Sequence, residues 1–291
     1  EFPSMSHRPI LPGRSNLGAR QNLTPYLDPT FTRSTARVGE RNMDRRKQEF
    51  DATICLRAHS EFSEDGSATI RQLVQRASDV GCAALAVTDV SVMNGAFELQ
   101  SQARNVGVKP IFGLDLPIRA ENPNTPIDEP KVRWDAITLL AENEAGLKRL
   151  FALSSESAAL PAGTALPFKR LAASCRGLTA IAGGADLPPW ELALARDQTN
   201  AGSYLEMLKD TFGSEHLCVG IPALGEQRGE QARRLVDLAR AHSLKIVNGH
   251  VVRFARPVDL RGHQTYMGFR DQATPVTTAE DFMLDSDAAR R

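Results

Sequence analysis

The sequence predicts an α/β fold, a closed or nearly closed βα barrel. Three observations point there: from Asp51 onward, short β-branched or apolar runs alternate with helical periods; six or seven strand–helix units follow in series, as a mainly parallel sheet requires; and no long break divides them, which favours one barrel over two domains.

The units read in order. "ATICLR" (52–57) is a strand, and Ile70, Leu73, Val74, Ala77 and Val80 then fall at helix spacing behind Thr69-x-x-Gln72, a capping box, with Gly81 as the stop. Strand "AALAVTD" (83–89), helix "NGAFELQSQARNVG" (94–107) and strand "VKPIFGLDLPI" (108–118) come next. A Pro/Asn-rich loop, "RAENPNTPIDEPK" (119–131), separates them from strand "AITLLA" (136–141), helix "NEAGLKRLFALSS" (143–155) and strand "LTAIAG" (178–183). Two helical segments within 187–213, strand "HLCVGI" (216–221), helix "GEQARRLVDLARAHS" (229–243) and strand "LKIVNGH" (244–250) complete the series. The barrel is expected over 51–275, with 276–291 as a separate C-terminal segment. Gly66, Gly95 and Gly113 read as turn residues, and neither a P-loop nor a G-x-G-x-x-G occurs.

Thirty-five Lys and Arg balance 35 Asp and Glu, so the whole chain lacks the basic excess of a protein gripping phosphates. Residues 1–50 differ: nine basic against five acidic residues, rich in Pro, Ser, Thr and Asn, without apolar period. They read as a flexible extension and as a candidate arm for contacting DNA or a partner. No apolar stretch approaches the ~18–20 residues of a membrane span, so a cytoplasmic location is expected. Cys55, Cys82, Cys175 and Cys218 form no C-x-x-C pair and are expected to be reduced, mostly buried thiols.

In a βα barrel the functional groups sit where strands end. His59, Asp65, Asp89, Asp115, His250 and His263 each lie just after a strand or in the loop or helix that follows. Singly, each reads as a loop side chain satisfied by solvent or backbone. His216, at a strand start, and His242, near a helix C-terminus, need no functional role.

The set, with its surroundings, carries more. "AHSEFSEDG", "LVQRASDVGCAALAVTD", "NGAFELQSQARNVGVKPIFGLDL", "ITLLAENEAGLKRLFALSS" and "GLTAIAGGADLP" agree in order and spacing with the PHP (polymerase and histidinol phosphatase) domain, and the stretch 53–291 resembles the version that opens C-family DNA polymerase III alpha subunits. The resemblance implies a distorted (β/α)7 barrel. In active members, about nine His, Asp, Glu and Cys ligands hold a cluster of divalent metals that polarises a phosphoryl oxygen and supplies hydroxide near neutral pH.

Position by position, much of that set has changed. The H-x-H start reads Arg57-Ala58-His59; the aspartate before glycine is Asp65; T-D-H reads Thr88-Asp89-Val90; and the glutamate after the third strand is Asp115. The expected histidine before "LLA" falls at Ala136, the cysteine at Gly184, and the aspartate and histidine of the late motif at Val251 and Arg253; a gapped alignment puts His250 in the histidine place. His59, Asp65 and Asp115 remain, or four residues with His250. No cofactor is therefore expected; a single weakly held Zn or Mn on His59, Asp65 and Asp115 is the alternative. Arg57 and Arg253 are expected to fill the vacated volume and neutralise Asp65, Asp89 or Asp115.

These readings imply a catalytically degenerate domain of a polymerase III alpha-type parent, a structural and protein-interaction module in DNA replication or repair synthesis. The implied partners are the palm and thumb of the parent chain and a proofreading exonuclease or another replisome protein. Two alternatives stay open: a metal-dependent phosphoesterase or 3′–5′ exonuclease with a reduced site, and a free-standing accessory or regulatory protein. Asp285 and Asp287 read as a solvated end.

Overall fold

The structure, a computed structural model, describes residues 53–119, 135–161, 164–173, 175–183, 198–221, 229–269 and 282–283. The basic extension, most of the Pro/Asn-rich loop, the first helical segment after residue 187, Gly184, and the C-terminal segment apart from Phe282 and Met283 lie outside the described residues.

Strand β1 (Ile54–Cys55) leads to helix α1 (Ile70–Asp79), then β2 (Ala84–Val87), α2 (Ala96–Val106) and β3 (Lys109–Arg119). Thr69 caps α1 reciprocally: its hydroxyl accepts the Gln72 amide at 3.2 Å while the Gln72 side chain accepts the Thr69 amide at 2.8 Å. Ile70, Leu73, Val74 and Ala77 form the buried stripe of α1, as their spacing predicts. Because two orphan donors at the α1 start depend on this exposed cap, Thr69→Ala should lower stability by about 1 kcal/mol. Urea denaturation checks this, and an unchanged midpoint would show the cap to be redundant.

Then come β4 (Asp135–Ala141), α3 (Glu144–Ala158), β5 (Leu166–Pro167), α4 (Phe168–Ala172), β6 (Leu178–Ala182), α5 (Gln198–Phe212), β7 (Leu217–Ile221), α6 (Gly229–Ala241), β8 (Lys245–Asn248) and α7 (Leu260–Phe269). The short β5–α4 pair was not foreseen, since two strand residues and a five-residue helix carry too little periodicity to register. β1 is also shorter than its apolar run suggested.

The main sheet runs β1-β2-β3-β4-β6-β7-β8, with β5 beside β3. Four of the six neighbouring pairs along this path are parallel, but β4 is antiparallel to both β3 and β6. The sequence between β3 and β4 carries no helical period of the kind a parallel crossover uses, in keeping with the antiparallel return of β4. The two ends of the sheet then meet. Past β1 and β8, Ala58 pairs with Val252, the His59 amide donating to the Val252 carbonyl at 2.8 Å and the Val252 amide to the Arg57 carbonyl at 3.1 Å. The result is a distorted βα barrel.

Its interior layer takes one residue from each strand of the ring or its continuation: Leu56, Ala86, Ile111, Leu140, Ile181, Cys218 and Val247 pack together. Larger apolar clusters sit outside, between strands and helices. Cys82 and Cys218 are buried and Cys55 and Cys175 partly so, all four as free thiols. Among the described residues no helix is long and apolar enough to cross a membrane.

Candidate functional site

Beyond the interior layer, at the C-terminal end of the parallel strands, the barrel holds a cluster of buried charge: Arg57, His59, Asp89, Asp115 and Arg253, each at most 4% exposed, with Asp65 at its rim. Continuing past β1 brings in Arg57 and His59, continuing past β2 brings in Asp89, and β3 itself carries Asp115. The path beyond β8 brings Arg253. Asp65 sits in the tight loop after His59, where Gly66 lets the backbones cross: a Cβ there would overlap the Ser60 carbonyl oxygen.

Asp115 is the inner anchor. Its Oδ2 accepts from Arg57 Nη2 at 2.7 Å and lies 2.9 Å from His59 Nε2, while Oδ1 accepts the Thr138 hydroxyl at 2.5 Å. Arg57 Nη1 also donates to the Gly249 carbonyl at 3.2 Å. Asp65 is the outer anchor. It faces His59 Nδ1 at 2.8 and 2.9 Å, the Ser63 hydroxyl at 2.9 Å and Arg253 Nε at 3.0 Å. The chain of ion pairs therefore runs Arg57–Asp115–His59–Asp65–Arg253.

His59 is the link, and its geometry dictates its charge. Both ring nitrogens face carboxylate oxygens, and a neutral imidazole would set a lone pair against one of them, so the imidazolium with two donors is the form that fits. Burial alone would depress its pKa, yet the Asp65 charge and the hydrogen bonds to Asp115 and Asp65 push it up to about 10. Burial likewise opposes ionisation of the two acids. His59 and Arg253 hold Asp65 well below the usual carboxylate range, and Arg57, His59 and Thr138 do the same for Asp115.

Asp89 behaves differently. The arginines expected near it go to Asp115 and Asp65, and its carboxylate instead accepts the Ser60 amide at 2.6 Å and the Ser60 hydroxyl at 2.7 Å. Burial raises its pKa against the pull of these two donors.

The structure thus gathers His59, Asp65, Asp115, Arg57 and Arg253, and turns both arginines onto acids as their substitution pattern implies. Val90 pairs with Asp115 across a bridge and gives its amide to the Ser63 hydroxyl at 3.2 Å. Ala136 pairs with Pro117 in the β3–β4 register, and Val251 is buried. His250 points its Nε2 at the Phe282 carbonyl, 3.0 Å away. His263 is buried, with Nδ1 2.8 Å from the Ser67 hydroxyl and its ring 5.2 Å from that of Phe254. His216 and His242 pair with Glu142 and Glu206 on the outside of the fold.

Sequence reasoning missed Ser60, Ser63 and Thr138, the hydroxyls that complete the acids. The two serines had a weak signal in their place between His59 and Asp65. Thr138 had none, because it reaches Asp115 through the antiparallel register that pairs those two residues.

The model of the PHP domain matches residues 56–223. A DNA polymerase III subunit alpha from Caulobacter vibrioides is 30% identical over 229 residues, covering 76% of this chain and 19% of that protein. The same subunit from Escherichia coli K12 is 25% identical over 225 residues, with the same coverage. The chain therefore spans about a fifth of the length of these relatives. Among solved structures, an amidohydrolase from Chromobacterium violaceum with bound sulfate aligns over 74% of this chain and 97% of its own, at 14% identity and a TM-score of 0.48.

Proposed function

The chain belongs to the PHP domain family, and from that premise we propose that it is the non-hydrolytic PHP domain of a DNA polymerase III alpha-type protein, a structural and protein-interaction module in DNA replication or repair synthesis. On this reading it works in the cytoplasm, packs against the polymerase palm and thumb of the same parent and offers a docking face to a proofreading exonuclease or another replisome protein. The basic extension at 1–50 is its candidate contact with DNA.

One observation carries the non-hydrolytic part: His59 is engaged by carboxylates through both ring nitrogens, so no lone pair of the ring is left for a metal. The remaining donors point the same way. Asp65 and Asp115 already neutralise Arg253 and Arg57, and a divalent cation would have to displace these buried guanidinium groups from their carboxylates. Val90, Ala136 and Val251 offer no ligand atoms. Among the described residues no group of three or more His, Cys, Asp or Glu is arranged to hold a metal ion. The residues present do not fit a catalytic metal cluster.

The expected result of elemental analysis, on protein purified with zinc and manganese present, is metal far below one equivalent per chain. A 3′-labelled DNA strand incubated with the same preparation should stay intact. Stoichiometric metal together with DNA degradation that disappears in His59→Ala would overturn the reading in favour of a phosphoesterase with a reduced site.

A further inference from the structure

Two residues from the C-terminal part, Phe282 and Met283, lie against the barrel in a way the charge cluster does not explain. Phe282 forms a parallel bridge with Phe254, and the two rings lie 6.2 Å apart, tilted. The side-chain donors of two separate elements then address successive backbone carbonyls. His250 Nε2 lies 3.0 Å from the Phe282 carbonyl oxygen, and Arg76 Nη2, on α1, donates to that of Met283 at 3.3 Å. The Met283 side chain is 1% exposed and belongs to the apolar cluster that includes Leu73, Ala77, Val252 and Ala255.

This combination is how extended peptides are recognised by strand addition: main-chain groups supply affinity without regard to sequence, and one buried side chain supplies selectivity. A thioether suits such a pocket because it adapts to irregular space. The backbone beneath is the segment that carries Arg253. Val252 exchanges hydrogen bonds with Arg57 and His59, and the Arg253 carbonyl accepts the Ser67 amide at 3.0 Å. Whatever occupies the place beside Phe254 therefore also bears on how firmly Arg253 is held to Asp65.

We propose that Arg76, His250 and Phe254 form a seat for an extended aromatic–aliphatic dipeptide, that Phe282–Met283 of this chain is its resident occupant, and that occupancy locks the Arg253 segment onto the charge cluster. The seat is a peptide-binding site that shares only His250 with the positions aligned to metal ligands, and its preferred partner is an extended segment with a Phe-Met-like pair.

The test is amide hydrogen exchange on the full chain carrying Met283→Asp, with a synthetic peptide reproducing residues 278–286 as probe. Emptying the seat should speed exchange at 250–255 and 59–67 roughly tenfold or more, the local opening free energy having fallen. Added peptide should bind this variant saturably, bind the wild-type chain far more weakly because its seat is filled, and slow exchange in the variant towards wild type. Unchanged exchange in both stretches, or equal peptide binding by the two chains, would refute the proposal. Should Met283→Asp fail to fold, Arg76→Met keeps the apolar stem and removes only the carbonyl donor: faster exchange at 250–255 with an intact melting transition supports the seat, and unchanged exchange there rejects it.

Discussion

Arg57→Ala is expected to destabilise the chain by about 3–5 kcal/mol, the cost of removing one member of a buried pair and leaving its partner's charge uncompensated. Arg57 is 1% exposed, and its guanidinium bonds to Asp115 deep in the barrel. Without it Asp115 keeps only His59 and Thr138, and the Gly249 carbonyl loses its donor. Arg57→Met combined with Asp115→Asn should recover part of the loss, because it removes the stranded carboxylate along with the cation. Urea denaturation of Arg57→Met, Asp115→Asn and the double variant measures this coupling. A single-mutant loss below about 1 kcal/mol would mean that water reaches Asp115, and that the cluster is not the dry ion-pair chain described above.

Alkaline pH should weaken the protein by several kcal/mol through His59. The sign follows from linkage: a folded-state pKa near 10 stands above the unfolded value of roughly 6.5, so between these the folded chain holds a proton that the unfolded chain has released. The stabilisation is full below pH ~6.5, declines above it, and is gone once pH passes about 10. Burial also pushes Cys55 up to about 12, which adds a loss of the same sign once unfolded thiols ionise above pH ~8.5. The window from pH ~7 to ~8 is therefore diagnostic of His59. In that window stability should fall with pH in the wild-type chain and stay level in His59→Gln, as read from denaturation midpoints. A flat wild-type profile would sink the imidazolium assignment. The acid side is less clean. Asp65 and Asp115, held low, contribute stability present above pH ~4 and lost as pH falls through their folded values, while Asp89, raised, acts in the opposite sense.

Much of the barrel was legible because its signals are local. The Thr69–Gln72 capping box, the α1 stripe at Ile70, Leu73, Val74 and Ala77, and the helix stop at Gly81, which adopts φ 73°, each depend on residues within a turn or two of one another. The positions of the altered site were legible for a related reason: strand ends in a βα barrel converge whatever their side chains, so His59, Asp89 and Asp115 could be placed at one end before any contact was known. That arginines stand at 57 and 253, positions the resemblance assigns to metal ligands, was visible as residue type.

What residue type could not convey is pairing. Either arginine had three acids to choose from, and the choice depends on where the backbone beyond β8 lies relative to Asp65, a relation set by the bridge between Ala58 and Val252 and by the Ser67 amide that donates to the Arg253 carbonyl. The charge of His59 depends on having a carboxylate at each ring nitrogen, one local and one 56 residues away. Thr138 reaches Asp115 only because β4 runs against its neighbours, and Phe282 and Met283 gained a place in the fold only from their contacts with His250, Phe254 and Arg76. The sequence by itself determined the class of fold and the end of the barrel where charge collects, because periodicity and residue chemistry are written locally. Only the tertiary structure decided which charges neutralise which, since ion pairing in a buried site depends on distances between segments remote in the chain.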